Sequence, residues 1–293
     1  MKLINLISPL SYHHLFLRRI FGKKQKNVDL FETRRSFEDM TPVFILSTGR
    51  CGTKWIDEII STDESVVSLH HPIPVMRSQA RICYNYDFNK ASNSEKQLLR
   101  EMFLGGREEL FNQALKVNKN LIFTDSRQTF FAEVIRDIFP KAKFVHLHRN
   151  PGQVIKSGME RDWYDAENSS ELNRIKPDQG DFHFDKWSEY DLIQKNSWLW
   201  NETNKWILNF LETVPSNQQF TLSFNKWNST NLSEMFQFCG ASISEGLIQK
   251  RRNARVNVQK TAKFKKFEEW AEADKEKVRS ICGDTSSKLG YSI

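Results

Sequence analysis

The chain reads as an α/β fold, a mostly parallel sheet with helices on both faces in a single domain. Three observations predict it. Short apolar runs alternate with amphipathic stretches along the chain. Two of these runs, at 43–48 and 143–147, end in a polar, glycine-bearing turn that opens a helix. No repeat and no long Pro/Gly/Ser linker divides the 293 residues, a length that one large domain accommodates.

Residues 43–48 open on a continuous apolar run and predict a strand buried on both faces. A helix over 53–61 comes next, with Trp55, Ile56, Ile59 and Ile60 on one side. Residues 66–69 predict a second strand, stopped by His70, His71, Pro72, Ile73 and Pro74. Ser94, with Gln97 three residues on, predicts the N-cap of a helix running toward Leu115, weakened in its middle by Gly105 and Gly106. Residues 120–124 predict a third strand, and 130–139 a helix ended by Pro140. Residues 143–147 predict a fourth strand. Pro151 starts the next helix, where its missing N–H costs nothing. Residues 162–185 carry many acids with little periodicity and read as an irregular insertion. A Trp-rich helix over 186–211, a strand over 219–224 and helices over 232–239 and 267–282 complete the pattern. Repeated β-α units imply right-handed crossovers and ligands seated beyond the carboxyl ends of the strands.

Hydrophobic residues make up 39% of the chain, enough for a core, and 22 Phe and 8 Trp give that core bulk. The net charge of +7 suits an anionic ligand, although charge alone says little about function. Cys51, Cys83, Cys239 and Cys282 are far apart and show neither metal-ligand nor disulfide spacing. They read as free thiols in a reducing, cytoplasmic compartment. No transmembrane span is predicted. In residues 1–26 the cations come after the apolar run, the reverse of a secretory signal. That segment predicts either a basic amphipathic helix resting on a membrane surface or an extension packed on its own domain. Residues 1–40 are accordingly expected to be an extension and 41–293 the domain.

The two turns carry the chemistry. Each places a cation beside a helix N-terminus, which predicts two anion sites along one edge of the sheet, a sheet's width apart. In the first, Gly49 and Gly52 let the backbone turn tightly, and Arg50, Lys54 and the Thr53 hydroxyl add donors. The phosphate-binding pattern GxxxxGK[ST] fails here. Lys54 does not follow a glycine, and Trp55 stands where a metal-binding hydroxyl is needed. A metal-dependent small-molecule kinase is therefore disfavoured. A cysteine phosphatase loop also fails, because Asp57 lies six residues after Cys51, where an arginine is required.

Arg50-Cys51-Gly52-Thr53-Lys54-Trp55 resembles the 5′-phosphosulfate loop of the sulfotransferases, whose donor is 3′-phosphoadenosine 5′-phosphosulfate (PAPS). Cys51 departs from the usual Ser of that loop, keeping the small size without a strong hydroxyl donor. Trp55 matches the cytosolic branch, in which the ring packs near the adenine. Arg149-Asn150-Pro151-Gly152-Gln153-Val154-Ile155-Lys156-Ser157 resembles the family's 3′-phosphate motif, with the same eight-residue step from Arg to Ser. Gln153 replaces a frequent Asp, so a capping or supporting contact is expected to be missing. Arg161, Asp162, Trp163 and Tyr164 resemble the residues just after this motif in bacterial and Golgi-type carbohydrate members. The resemblance implies a P-loop-like nucleotide-binding domain and sulfuryl transfer without a metal. The acceptor is then a hydroxyl, of a carbohydrate or glycolipid, and the product is adenosine 3′,5′-bisphosphate.

By analogy with phosphoryl transfer, the transition state is loose, so positioning and charge stabilisation should dominate. Arg50 is the candidate to stabilise the leaving phosphate. An arginine does not readily give up its proton, so its role is electrostatic. Acceptor chemistry needs a general base. His71 stands where many members carry Glu and has a suitable unperturbed pKa. Asp125 and His70 are the other candidates, against a plainer reading in which the two histidines only close a strand end. His146 and His148 read as structural or adenosine-side. Cys51 reads as a small residue in a tight loop rather than a redox centre. The basic stretch 250–266, with Lys250, Arg251, Arg252, Arg255 and Lys260, reads as a loop closing over donor phosphates rather than a nucleic-acid patch. The aromatics Trp163, Tyr164, Trp187 and Tyr190 are candidates to line the acceptor site. A different class stays open: a catalytically inactive nucleotide-binding or membrane-docked protein of the same fold.

Overall fold

The computed structural model describes residues 36–165, 173–252 and 263–293. Its strands are β1 (Val43–Leu46), β2 (Val66–Leu69), β3 (Asn120–Phe123), β4 (Lys143–His148) and β5 (Gln219–Ser223). They form one sheet in the order β2-β3-β1-β4-β5, every pairing parallel. Helices α1 (Thr53–Ile60), α2 (Arg77–Asn85), α3 (Asn93–Val117), α4 (Ala132–Ile138) and α5 (Pro151–Met159) connect the first half of the chain. Helices α6 (Leu192–Glu212), α7 (Ser229–Phe238), α8 (Glu245–Arg252) and α9 (Glu272–Lys288) complete it.

Alternation along β1 sends its side chains into two separate cores. Phe44 and Leu46 join a cluster with Phe103, Phe111, Phe123 and Phe210 on one face. Val43 and Ile45 join Ile56, Val154, Trp198 and Phe236 on the other. Phe44 stacks on Phe123 at 4.6 Å and 3° between planes. Full burial of such rings contributes on the order of 1.5–3 kcal/mol each. Both faces of the central strands are therefore dry, as helices on both sides require.

The strand order places the site. From β1 the chain runs outward to β2 and back to β3, then crosses to β4 and β5 on the other side of β1. Connections leaving β1 and β4 therefore diverge, which opens a crevice between their carboxyl ends. The registers Val43↔Lys143 and Leu46↔His146 show that these strands are immediate neighbours. The expectation of anion sites a sheet's width apart is thus corrected. The two motif turns stand side by side at one crevice.

Several element boundaries differ from expectation. The long helix α3 is capped by Ser92, not Ser94; Ser92 accepts from the Glu95 N–H at 3.3 Å, and the Glu95 carboxylate accepts from the Ser92 N–H at 2.7 Å. That reciprocal box fixes the start two residues early. The helix runs unbroken through Gly106, where a Cβ would fall 2.5 Å from Met76 Sδ. Its bareness lets the segment before α2 pack close. Helix α6 starts at Leu192 rather than near 186, because Asp191 accepts from the Gln194 N–H at 2.9 Å in a second capping box. The last helix runs over Glu272–Lys288, preceded by a single 3-10 turn at Phe267–Glu269. Helix α2 was not foreseen at all. Among the described residues, no helix is long and apolar enough to cross a membrane. The segment 1–26 and the middle of 250–266 lie outside the described residues.

Candidate active site

Between β1 and α1 the backbone folds into a tight cradle. Gly49, Arg50 and Gly52 have φ of 88°, 61° and 97°. These left-handed residues turn the loop tightly around its N–H groups, which makes a concavity suited to an anion. Gly52 is doubly required. Its φ is left-handed, and a Cβ would fall 2.6 Å from Trp227 and 2.8 Å from Phe224. No side chain caps α1, whose N-cap is Gly52, so its first amides and positive dipole end face this space.

The loop is braced from inside. The Gly49 N–H donates to Ser47 Oγ at 3.0 Å, and the Ser47 N–H donates to Thr129 Oγ1 at 3.1 Å. Cys51 is fully buried and donates its thiol to the Gly49 carbonyl at 3.2 Å. Burial raises its pKa, so the thiol stays protonated and acts as a small packing residue.

The second turn is wired to the first. Arg50 Nε donates to Ser157 Oγ at 2.9 Å, and an Arg149 Nη donates to the Arg50 carbonyl at 3.1 Å. Arg149 Nε donates to Gln153 Oε1 at 2.8 Å, and that oxygen also accepts from Asn225 Nδ2 at 3.1 Å. Gln153 thus supplies the supporting contact that its departure from Asp was expected to remove. The helix cap comes from Asn150, whose Oδ1 accepts from the Gln153 N–H at 3.3 Å. Trp200 Nε1 donates to the Arg149 carbonyl at 3.0 Å, and the Arg149 guanidinium lies 4.3 Å from the Phe224 ring centroid.

These groups line a cleft of about 1370 Å³. Among its described lining residues, ten Lys and Arg face four acids. Burial pulls the pKa of Arg50 down to about 10, and the neighbouring charges of Arg161 and Arg149 pull it the same way. Burial likewise lowers that of Arg149. Cations are held here against desolvation and mutual repulsion, a cost that a bound polyanion offsets.

Residues 42–235 match the profile described as "Sulfotransferase family". The chain belongs to the sulfotransferase family. Its structure is similar to the sulfotransferase domain from the curacin biosynthetic pathway, with 16% identity, 87% of this chain and 99% of that chain covered, and a TM-score of 0.49. It is also similar to the sulfotransferase domain from the Synechococcus PCC 7002 olefin synthase, with 16% identity, coverage of 92% and 100%, and a TM-score of 0.43. A sulfotransferase from Alicyclobacillus acidocaldarius is 12% identical, with coverage of 86% and 97% and a TM-score of 0.49. No curated protein sequence matches the chain significantly. Family membership makes this sulfotransferase an enzyme with PAPS as its implied donor and an acceptor substrate that remains to be assigned.

The cleft of this sulfotransferase brings together Arg50, Gly52, Thr53, Lys54, Trp55, Arg149 and Ser157 from the two turns. Lys54 is half exposed and 3.9 Å from Glu58. Trp55 packs on Trp227 at 4.8 Å and donates Nε1 to the Arg251 carbonyl at 2.9 Å. His70, His71 and Asp125 line the same cleft from the ends of β2 and β3. Asp125 is buried and gripped by Arg127, whose Nε and an Nη donate to its two oxygens at 2.8 and 2.9 Å. Its lone pairs are thus largely engaged. His71 is the more exposed of the pair, and partial desolvation with the adjacent His70 and Arg127 charges lowers its pKa to about 4.

His146 and His148 sit behind the cleft. His146 Nε2 meets Asn204 Oδ1 at 2.9 Å, and His148 Nδ1 meets the Tyr291 hydroxyl at 2.9 Å. Trp163 lines the cleft, whereas Trp187 and Tyr190 pack on each other, with Trp187 also against Trp198, away from it. Lys266, at the end of the basic stretch, reaches the cleft, and Arg255 and Lys260 lie outside the described residues. Sequence reasoning missed Phe224 and Trp227 beyond β5, and Arg77 and Arg81 on α2, all of which line the cleft. A hydrophobic signal for the first pair exists in the aromatics after the last strand. For the second pair none exists, because α2 buries little beyond Ala80 and Cys83. Among the described residues, no group of three or more His, Cys, Asp or Glu is arranged to hold a metal ion.

Proposed function

We propose that the enzyme moves the sulfuryl group of PAPS directly to a hydroxyl of a carbohydrate or glycolipid acceptor, in line and without a metal. The observation that carries this reading is the meeting of the two turns. Arg50, partly desolvated, is held between Ser157 and Arg149 over an uncapped helix N-terminus. Unspent amides, a glycine cradle and converging guanidinium groups fit a phosphosulfate nucleotide.

When bound, PAPS supplies the sulfuryl group: the acceptor oxygen bonds to sulfur as the bond from sulfur to the phosphate oxygen breaks, and that electron pair leaves on adenosine 3′,5′-bisphosphate. In this reading Arg50, Lys54 and the α1 amides take the charge that develops on the 5′ side. Arg149 and Ser157 hold the 3′-phosphate. Trp55, Trp227 and Phe224 form the aromatic wall for the adenine. The base comes from His70, His71 or Asp125. Residues 41–293 make up the catalytic domain and 1–40 an extension.

Thermal melting in EDTA tests the donor assignment. Adenosine 3′,5′-bisphosphate should raise the midpoint without Mg²⁺, as a ligand that binds only the folded state must. A rise seen only with Mg-ATP overturns the reading. Arg149→Ala should abolish the bisphosphate shift. Arg50→Ala should lower transfer of labelled sulfate by about 10²–10³-fold, the loss typical of one electrostatic donor at a developing anion. A screen of sugars, lipids and phenols with labelled PAPS identifies the acceptor.

A further inference from the structure

We infer that Asp57 and Thr124 are positioning residues that hold His70 in the tautomer of a general base. The inference rests on the proposed sulfuryl transfer only in giving His70 a proton to take; the geometry itself is independent of the donor.

Asp57 lies on α1, one turn beyond Thr53, and does not line the cleft. Its Oδ1 accepts from Ser68 Oγ at 2.6 Å and from Thr124 Oγ1 at 3.3 Å. No cation among the described residues forms an ion pair with it. Burial raises its pKa, while the Ser68 and Thr124 hydroxyls and the nearby Lys54 charge work against that and favour the carboxylate. Thr124 is fully buried at the end of β3, and its Oγ1 lies 3.0 Å from His70 Nδ1.

Proton counting then fixes the ring. An ionised carboxylate only accepts, so the single Thr124 hydroxyl proton points to Asp57. Thr124 Oγ1 is left to accept from His70, and the Thr124 carbonyl is a further acceptor for the ring, which puts the imidazole proton on Nδ1. Nε2 keeps its lone pair, on a ring that lines the cleft. His71, by contrast, has no hydrogen-bond partner among the described residues to fix its ring, which only leans on His70 at 4.0 Å between centroids. The sequence favoured His71; the hydrogen-bond chain favours His70. Because Asp57 and the anion cradle share α1, the base is referenced to the same short helix as the donor site. In the reaction His70 Nε2 takes the acceptor's hydroxyl proton and becomes imidazolium, then returns the proton to solvent.

Nitrogen NMR of imidazole-labelled protein, without donor or acceptor, tests this directly. The wild type should show His70 protonated at Nδ1 and bare at Nε2. Thr124→Val should shift it toward the other tautomer, and Thr124→Ser should restore the wild-type signature. Release of labelled sulfate from PAPS to water should fall about tenfold or more in Thr124→Val and Asp57→Ala, and about 10²-fold or more in His70→Gln, a larger loss than in His71→Gln. A wild-type His70 protonated at Nε2 overturns the inference even if no variant folds. So does a Thr124→Val protein with unchanged tautomer and unchanged release, or a loss on His71→Gln that His70→Gln lacks. Failure of the wild type to bind adenosine 3′,5′-bisphosphate would instead remove the donor reading and leave the tautomer result standing.

Discussion

Arg50 carries two separate costs. Its φ of 61° is unfavourable for any residue with a Cβ, and its guanidinium is partly desolvated beside two other arginines. Strain and crowding at one residue of a cleft are expected where the residue works on a ligand. Cys51, its neighbour, illustrates the opposite case. The thiol is buried, donates to Gly49 and has a raised pKa, so nothing in its surroundings favours thiolate enough to outweigh burial. Burial also pushes Cys83 and Cys239 up to about 12 and raises Cys282. All four thiols are therefore expected to resist iodoacetamide in the native enzyme and to label fully once it is denatured, which intact-mass spectrometry checks. At this scale the motif residues were legible because glycines, cations and an eight-residue step are local features. Asp57, Thr124 and Trp227 were not, because each acts through partners at least a strand away in sequence.

Helix α1 is the element on which the site turns. It is short, amphipathic and uncapped, with Trp55, Ile56, Ile59 and Ile60 buried below and its N-terminus open above. Gly52→Ala should therefore fail twice, by backbone strain and by a clash with Trp227 and Phe224. A loss of about 2–4 kcal/mol is expected from a denaturant midpoint. Ser92→Ala removes the capping box of α3 far from the cleft. It should cost about 1 kcal/mol in the same measurement and leave bisphosphate binding unchanged. The strands were legible as apolar runs because both their faces are buried. Helix α2 was hidden because it is short and polar overall, with Arg77 and Arg81 lining the cleft and little beyond Ala80 and Cys83 buried.

The whole molecule is two cores on either side of a parallel sheet, and two histidines buried at β4 tie its stability to pH. Burial lowers His146 to about 4 and His148 to about 3. Both are neutral in the native state, whereas an unfolded histidine titrates near 6.5. Between those values the unfolded chain binds more protons, so stability is full above about pH 6.5 and falls as the pH drops toward 4. Each histidine can cost up to about 1.4 kcal/mol per pH unit in that window. The melting temperature should fall steadily from about pH 6.5 to about 4.5, and His148→Gln should flatten that slope. Sequence by itself determined the β-α rhythm, the two anion turns and the likeness to sulfotransferases, since each is carried by residues close together in the chain. Strand order was decided only in three dimensions. It set β1 against β4 and merged two expected sites into one cleft, because parallel strands pair through crossovers whose destination no local pattern records. The tertiary structure likewise brought His70 against Thr124, and Thr124 against Asp57, a contact that residues more than fifty positions apart do not announce in the sequence.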